Sequence, residues 1–477
     1  MLDAPHKEPR RSLIVLIPTD YAISPERIAE GLSRVGPDAN IIVACAGQPA
    51  TLVSIHAQLR DAEFLLAPRG TNTTDLRMHA LAQASGDILV FVGAERGPEG
   101  SSSKERIASA GSLPALSIVV PVSGSDEFID GALSAIIESD LPPESFELIV
   151  VDDASEDKSL SIAARYADTI IRLGGYPRGA AYARNRGAEQ ARAQMLAFVN
   201  ADVRVHGDTL SRLCQLIEDG GLAAAGASND GTSEERQLAA RYWNLLYNYG
   251  AQKHGGLGTN FNASCGVVRR NAFLGVGMYN EWLFQRASLE GLELGQRLYR
   301  SGERVLLSKD VTVAHLRHHD LRGVFGTVWR YSSVLVRSLG FLGSRSQARS
   351  HVIHALGIQA GLVALVAAIA VGVGARMAGA TVWGAVGAGA LAVVVVNAAA
   401  HFYFARKAGL MLSLAAVPLH FATQLVGAAA LVYGFLLRHL IGDPAPDPTT
   451  QAFAEVGVKT WPPVPKKRTS LKQESQR

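Results

Sequence analysis

Three short stretches hold many of the side chains able to do chemistry. LSIVVPV at 116–122 and ELIVVDD at 147–153 read as neighbouring buried strands, one with Pro121 next to its end and the other ending at Asp152 and Asp153, and FVNAD at 198–202 ends a third at Asn200 and Asp202. An open α/β sheet binds its ligand at the C-terminal ends of such strands. Two carboxylates there can accept hydrogen bonds from a base and from ribose hydroxyls. The same residues also suit a helix N-cap, because Asp153 and Ser155 of DDASEDKS are good capping types, and Asn200 and Asp202 also read as a plain polar strand end. Farther on, SLEGLELGQRLYRSG brings Glu290 and Glu293, and VTVAHLRHHD brings His315 with His318 and His319. Glu293 equally fits a helix N-terminal charge, and a lone histidine such as His315 equally fits a structural bond to a backbone carbonyl.

The elements that must position these groups alternate short β-branched runs with helical patterns, which indicates an α/β sheet. The alternation occurs twice. NIIVACAG at 40–47 matches ELIVVDDA at 147–154 at an offset of 107, and FVGAE at 91–95 matches FVNAD at 198–202 at the same offset. Residues 1–100 therefore read as a diverged α/β half-copy without a nucleotide site, since Cys45, Ala46 and Gly93 stand where the second copy has Asp152, Asp153 and Asn200. Residues 101–114 read as a Gly- and Ser-rich linker, and 115–320 as the domain that carries the site.

The 477 residues have a net charge of +3 and no basic stripe across the first 300, which points away from nucleic acid. Cys45, Cys214 and Cys265 lack metal-ligand or disulfide spacing and suit a reducing compartment. The run LIVLIP after the charged N-terminal segment is too short for a signal-peptide core. Three stretches free of acidic residues, Lys and Arg follow, Ser350 to Ala375, Met377 to Ala405 and Ala408 to Leu437, each longer than the roughly 20 residues that span a bilayer. Residues 350–441 thus read as three transmembrane helices, rich in the Gly and Ala that allow close packing. They contain no carboxylate, which argues against a transporter. Arg337, Arg345 and Arg349 before them place the preceding domain in the cytosol by the positive-inside tendency, so the expected location is the cell membrane, multi-pass, with the catalytic domain cytosolic. Residues 321–349, where Arg322, Arg330 and Arg337 alternate with Trp329, Tyr331 and apolar residues, suit an interfacial amphipathic segment. Residues 442–477 read as a disordered, Pro-rich basic tail.

In their order and spacing, VDDASEDKS, ARNRG and FVNAD resemble the strand-end acidic motif, the helix motif and the metal-binding aspartate pair of family 2 glycosyltransferases. The resemblance covers about 115–320. It implies a GT-A fold, a nucleotide-diphosphate sugar donor and transfer with inversion at the anomeric carbon. It places Pro121 and Asp153 by the nucleotide base, Asp152 and Arg184 on the nucleotide with Asn200 beside them, and Asp202 on Mg²⁺ or Mn²⁺, with His315 near the metal or diphosphate. Two positions depart from the family pattern. Asn200 stands where an aspartate is usual, and the acidic helix has Glu290 followed by Gly291 where Glu-Asp is common, which makes Glu290 the candidate base and Glu293 its substitute. The expected activity is a membrane-anchored transferase acting on a lipid-linked or polysaccharide acceptor. A non-catalytic relative serving as a membrane binding or assembly subunit is the alternative that Asn200 and Gly291 favour. A dinucleotide oxidoreductase is disfavoured, since no G-x-G-x-x-G follows the first strand of either copy.

Overall fold

A computed structural model describes residues 9–17, 23, 25–46, 55, 59, 61–68, 71–93, 113–231, 237–281, 289–317, 320–342, 395 and 397–441. Residues 101–112 of the expected 101–114 linker, the stretch 350–394 and the tail 442–477 lie outside them. The first unit comprises β1 (Arg11–Ile17), α1 (Pro25–Val35), β2 (Asn40–Ala46), β3 (Glu63–Ala67), α2 (Thr73–Gln83) and β4 (Ile88–Val92). The second begins with β5 (Leu116–Val122), α3 (Ile129–Ile137), β6 (Phe146–Asp153), α4 (Ser159–Ala163), β7 (Thr169–Leu173), α5 (Ala180–Gln190) and β8 (Met195–Val199). β9 (Val203–Val205), α6 (Thr209–Gly220), β10 (Ala224–Asn229), α7 (Leu238–His254), β11 (Gly256–Gly258), β12 (Cys265–Arg269), α8 (Arg270–Gly275), α9 (Glu290–Arg300) and β13 (Val305–His315) complete it.

β6 and β8 are buried along their whole length, and β5 along all but Pro121. Apolar side chains on both faces of a strand require helices on both faces of the sheet, and two large cores form there. All the strands join one mixed sheet in the order β11-β13-β10-β12-β8-β5-β6-β7-β4-β1-β2-β3, with β9 on β13. Within it, β8-β5-β6-β7 are mutually parallel, and so are β4-β1-β2-β3. The first unit thus continues the same sheet through an antiparallel β4–β7 pair, Ile88 opposite Ile171.

Buried charge ties the two units together. Arg77 of α2, 2% exposed, donates to the carbonyls of Ala164 and Ala167 at 2.8 and 3.0 Å, beyond the end of α4. Glu147 of β6 accepts from Ser117 at 2.6 Å and from Arg192 Nε at 2.9 Å, and Arg192 also pairs with Glu30 of α1. A buried carboxylate requires such partners. The three cysteines are free; burial pushes the Cys45 thiol up to about 11 and those of Cys214 and Cys265 up to about 12, so none is a ready nucleophile.

C-terminal to the sheet lie α10 (Leu321–Leu342), α11 (Ala398–Ala408) and α12 (Leu410–Ile441). The expected multi-pass topology is corrected here. Among the described residues one helix, Leu410–Leu440, is long and apolar enough to cross a membrane. The part of the second expected span that is described contains α11, an 11-residue helix that starts after Asn397 and ends at Gly409, whose φ is +92°. Eleven residues rise about 16 Å, roughly half the hydrocarbon thickness. An uncharged run records composition, and a helix break at Asn397 leaves no trace in it. α12 also carries Ser413, His420 and Thr423 on a buried side, where Thr423 and Tyr242 of α7 share a 2.9 Å hydrogen bond. α10 packs along α12, with Trp329 and Tyr433 5.4 Å apart between ring centroids, and its Val324 is fully buried with α7, α11 and α12.

Candidate active site

A cleft of about 580 Å³ opens at the C-terminal ends of β5, β6 and β8. Its sheet side is formed by Pro121, Asp153, Asn200, Asp202 and His315, and its opposite wall by Tyr247 of α7 with Thr327, Arg330 and Tyr331 of α10. The parallel register that aligns Pro121 with Val151, and Val122 with Asp152, brings these ends level.

Asp153 is 2% exposed, and its two oxygens accept from the backbone N–H groups of Arg178 and Gly179 at 2.8 and 2.6 Å. It thereby anchors the turn into α5, whose Gly179 stands at φ +100°, a conformation that favours glycine. Asp152 alternates to the other face. It lies opposite Arg172 in β7 and accepts weakly from Ser155 N at 3.3 Å, and burial raises its carboxyl above the ordinary range against the lowering by Ser155. The sheet thus separates two adjacent carboxylates by strand alternation.

Arg184, 1% exposed in the middle of α5, spans two of the expected site residues. Its guanidinium donates to Glu290 Oε1 at 3.1 Å and to Asn200 Oδ1 at 2.7 Å, and it lies 5.3 Å from the centroid of the Tyr279 ring. The structure places it behind the cleft wall, holding Asn200 and Glu290. Glu290 is itself 4% exposed; burial first, and the nearby Glu290 charge after it, raise the hydroxyl pKa values of Tyr247 and Tyr331. Those two hydroxyls are 3.4 Å apart. Glu293 turns away and forms an ion pair with Arg297 at 2.7 Å.

Gly291 has a packing role. A Cβ there would stand 2.3 Å from the Phe261 carbonyl oxygen and 2.9 Å from the Ala263 nitrogen, and one at Gly295 would stand 2.3 Å from the Thr259 oxygen. The two glycines, one turn apart, let α9 lie directly on the 259–263 backbone. The position where the family usually has an aspartate admits no side chain in this chain.

Asp202 Oδ2 forms an ion pair with Arg317 Nε at 2.9 Å, and the Asp202 carbonyl accepts from Leu316 N at 2.8 Å. The β9–β13 pairing sets His315 opposite Val203, next to Asp202. Burial lowers the pKa of His315, against the raising effect of Asp202 and Asp230, so its imidazole stays neutral with a lone pair to give. The Asp202 carboxylate suits Mn²⁺ or Mg²⁺, whereas an imidazole is the softer ligand of the two and favours Mn²⁺ over Mg²⁺. Among the described residues no cluster of three or more His, Cys, Asp or Glu is placed to hold a metal, so a metal at Asp202 and His315 would take its remaining oxygens from a diphosphate and water, which is common for Mg²⁺ beside phosphates.

Sequence reasoning missed much of the second wall. Arg330 and Tyr331 were legible only as part of an amphipathic stretch, and Arg317 sat beside the conspicuous histidines. Nothing in the sequence marked Tyr247, Trp243 or Asn229.

Residues 117–276 match the model of the family described as Glycosyl transferase family 2. Glycosyltransferase AglE of Haloferax volcanii is 31% identical over 134 residues, which cover 26% of this chain and 44% of AglE. TarS of Staphylococcus aureus, a poly(ribitol-phosphate) beta-N-acetylglucosaminyltransferase, is 29% identical over 107 residues, 22% of this chain and 19% of TarS. The chain thus spans less than half the length of these curated relatives. Among solved structures, the mannosyltransferase PcManGT from Pyrobaculum calidifontis, in complex with GDP-Man and Mn²⁺, is 18% identical with a TM-score of 0.43, covering 69% of this chain and 87% of that one. With the family match on the strands that build the cleft, the chain carries a family 2 glycosyltransferase domain of GT-A fold, followed by an apolar C-terminal helix consistent with a membrane anchor.

Proposed function

We propose that the chain transfers a sugar from a nucleotide-diphosphate donor, with inversion at the anomeric carbon, to a lipid-linked or polysaccharide acceptor at the membrane surface. The observation that carries this reading is the makeup of the cleft: the family's strand ends on one side, and α7 and α10, both packed on the apolar α12, on the other. A donor held on the strand ends would face an acceptor on the helix side, next to the anchor.

In this reading Pro121 lies beside the nucleotide base, Asp153 fixes the turn that shapes the nucleotide pocket, and Asp152 supports the same strand end. Asp202 and His315 hold Mg²⁺ or Mn²⁺, and that ion supplies charge neutralisation to the departing diphosphate. Glu290 takes the proton of the acceptor hydroxyl as its oxygen bonds to the anomeric carbon and the bond to the diphosphate breaks. Arg184 bonds both Glu290 and Asn200, so base and strand end are held as one unit.

The first unit we read as a diverged half-copy: its strand order β4-β1-β2-β3 repeats β8-β5-β6-β7 with every pair parallel, and the offset of 107 supports the same reading. In that role it packs and stabilises the transferase domain. A second reading, a non-catalytic binding subunit, is favoured by one observation, the engagement of Glu290 by Arg184. Thermal stabilisation of the full chain by nucleoside diphosphates with Mn²⁺ tests the donor site, since bound ligand raises stability by mass action. Stabilisation by at least one nucleotide supports the site, and none from any nucleotide refutes it. Donor binding without transfer to any acceptor would favour the subunit.

A further inference from the structure

We propose that Arg317 is the resident counter-cation of Asp202, holding the carboxylate while the cleft is free of nucleotide and passing to the diphosphate when a metal ion takes Asp202. The site then binds metal and diphosphate together instead of metal first. This rests on the proposed nucleotide-diphosphate site.

Three features carry the inference. Arg317 Nε lies 2.9 Å from Asp202 Oδ2; of the two carboxylates that line the cleft among the described residues, Asp153 is held by backbone N–H groups and Asp202 is held by Arg317. The two ends of this pair differ in freedom. Asp202 is fixed by its carbonyl bond to Leu316 N and is 18% exposed in its side chain, whereas the Arg317 side chain is 51% exposed and follows His315, the last paired residue of β13. A long side chain beyond the end of a ladder can reorient without disturbing the sheet. Arg317 lines the same cleft as Arg330, so a diphosphate bound there has two guanidinium groups to meet.

The charges decide the order of events. A guanidinium on Asp202 leaves that carboxylate little charge for a divalent ion, and the two cations repel each other at one carboxylate. A diphosphate brings several negative charges and offers Arg317 a paired, charge-assisted partner better than a single carboxylate oxygen. Other charged groups nearby are His315, neutral by burial, and Asp230, which pairs with His206 at 3.2 Å.

The test measures Mn²⁺ binding by the full chain in detergent, from the EPR signal of free Mn²⁺, with and without inorganic pyrophosphate, a diphosphate probe that needs no base recognition. An exposed ion pair of this kind is worth roughly a two- to fivefold change in affinity. Arg317→Ala should bind Mn²⁺ alone two- to fivefold more tightly than the parent protein, and should show less tightening when pyrophosphate is added. Arg317→Lys, which keeps the charge, should stay near the parent. Equal or weaker binding of Mn²⁺ alone by Arg317→Ala, including no measurable binding by either protein, overturns the proposal. If Arg317→Ala melts lower than the parent, Arg317→Gln carries the same comparison. Failure of the parent protein to bind any nucleoside diphosphate with Mn²⁺ would instead refute the donor site on which the inference rests.

Discussion

Restoring the family's usual aspartate by Gly291→Asp should damage this protein, not improve it. The added Cβ would stand 2.3 Å from the Phe261 oxygen and 2.9 Å from the Ala263 nitrogen, both backbone atoms. Carbon and oxygen ordinarily approach to about 3.3 Å, so the start of α9 must withdraw by about 1 Å. Overpacking of this kind costs about 1–3 kcal/mol, and a second carboxylate in this buried place beside Glu290 adds to it, because one guanidinium, that of Arg184, would face both. The offsets, the better helix propensity of a residue other than glycine and a negative charge in the first turn, are each worth no more than about 1 kcal/mol. A net loss of about 2–4 kcal/mol should lower the melting temperature by roughly 4–15 °C for a domain of this size. A shift of about 1 Å in Glu290 should also reduce transfer about 100-fold. Melting curves of the full chain and single-turnover transfer check both, with Gly291→Ala as the uncharged comparison. A melting temperature within 1 °C of the parent, or a gain in transfer for Gly291→Asp, would refute the packing argument.

Glu290→Gln should keep donor binding and lose transfer by 100-fold or more, read as single-turnover rate against nucleotide affinity; full activity would remove Glu290 as the base and leave Glu293 or an acceptor group. Asp202→Ala should abolish the Mn²⁺-dependent part of nucleotide binding, while Asn200→Asp leaves it equal or stronger, both measured by calorimetry; unchanged Mn²⁺ dependence in Asp202→Ala would contradict the metal assignment. Arg77→Met strips the partner from the Ala164 and Ala167 carbonyls and the cation from over the Phe91 ring, 4.9 Å away; a loss of about 2–4 kcal/mol is expected for a buried charged hydrogen-bonding group. Urea unfolding should show it, with the first unit cleaved earlier by protease, and no change in midpoint would mean that Arg77 does not hold the units together.

The strand framework was legible because its strands are almost wholly buried, so β5, β6 and β8 read as continuous apolar runs with the chemistry at their ends. The pairing of Arg184 with Glu290 was not legible, since 106 residues separate them and only the tertiary fold brings them together. Asp152 and Asp153 looked equivalent in sequence, and the alternation of β6 sends them to different faces. The second wall of the cleft could not be read as a wall, because α7 and α10 take their places from contacts with α12 that no local pattern records. The expected run of spans failed for a related reason: the absence of charge does not tell where Asn397 and Gly409 interrupt a helix.

The central claim, that the cleft transfers a sugar from a nucleotide-diphosphate donor and depends on Asp202, is tested most directly by turnover. The full chain in lipid nanodiscs would be given a panel of nucleotide-diphosphate sugars with Mn²⁺ and a membrane lipid extract, and release of nucleoside diphosphate measured beside Asp202→Ala. The account predicts release from at least one donor, lost in the variant. Release that is equal in Asp202→Ala, or absent for every donor, would contradict it.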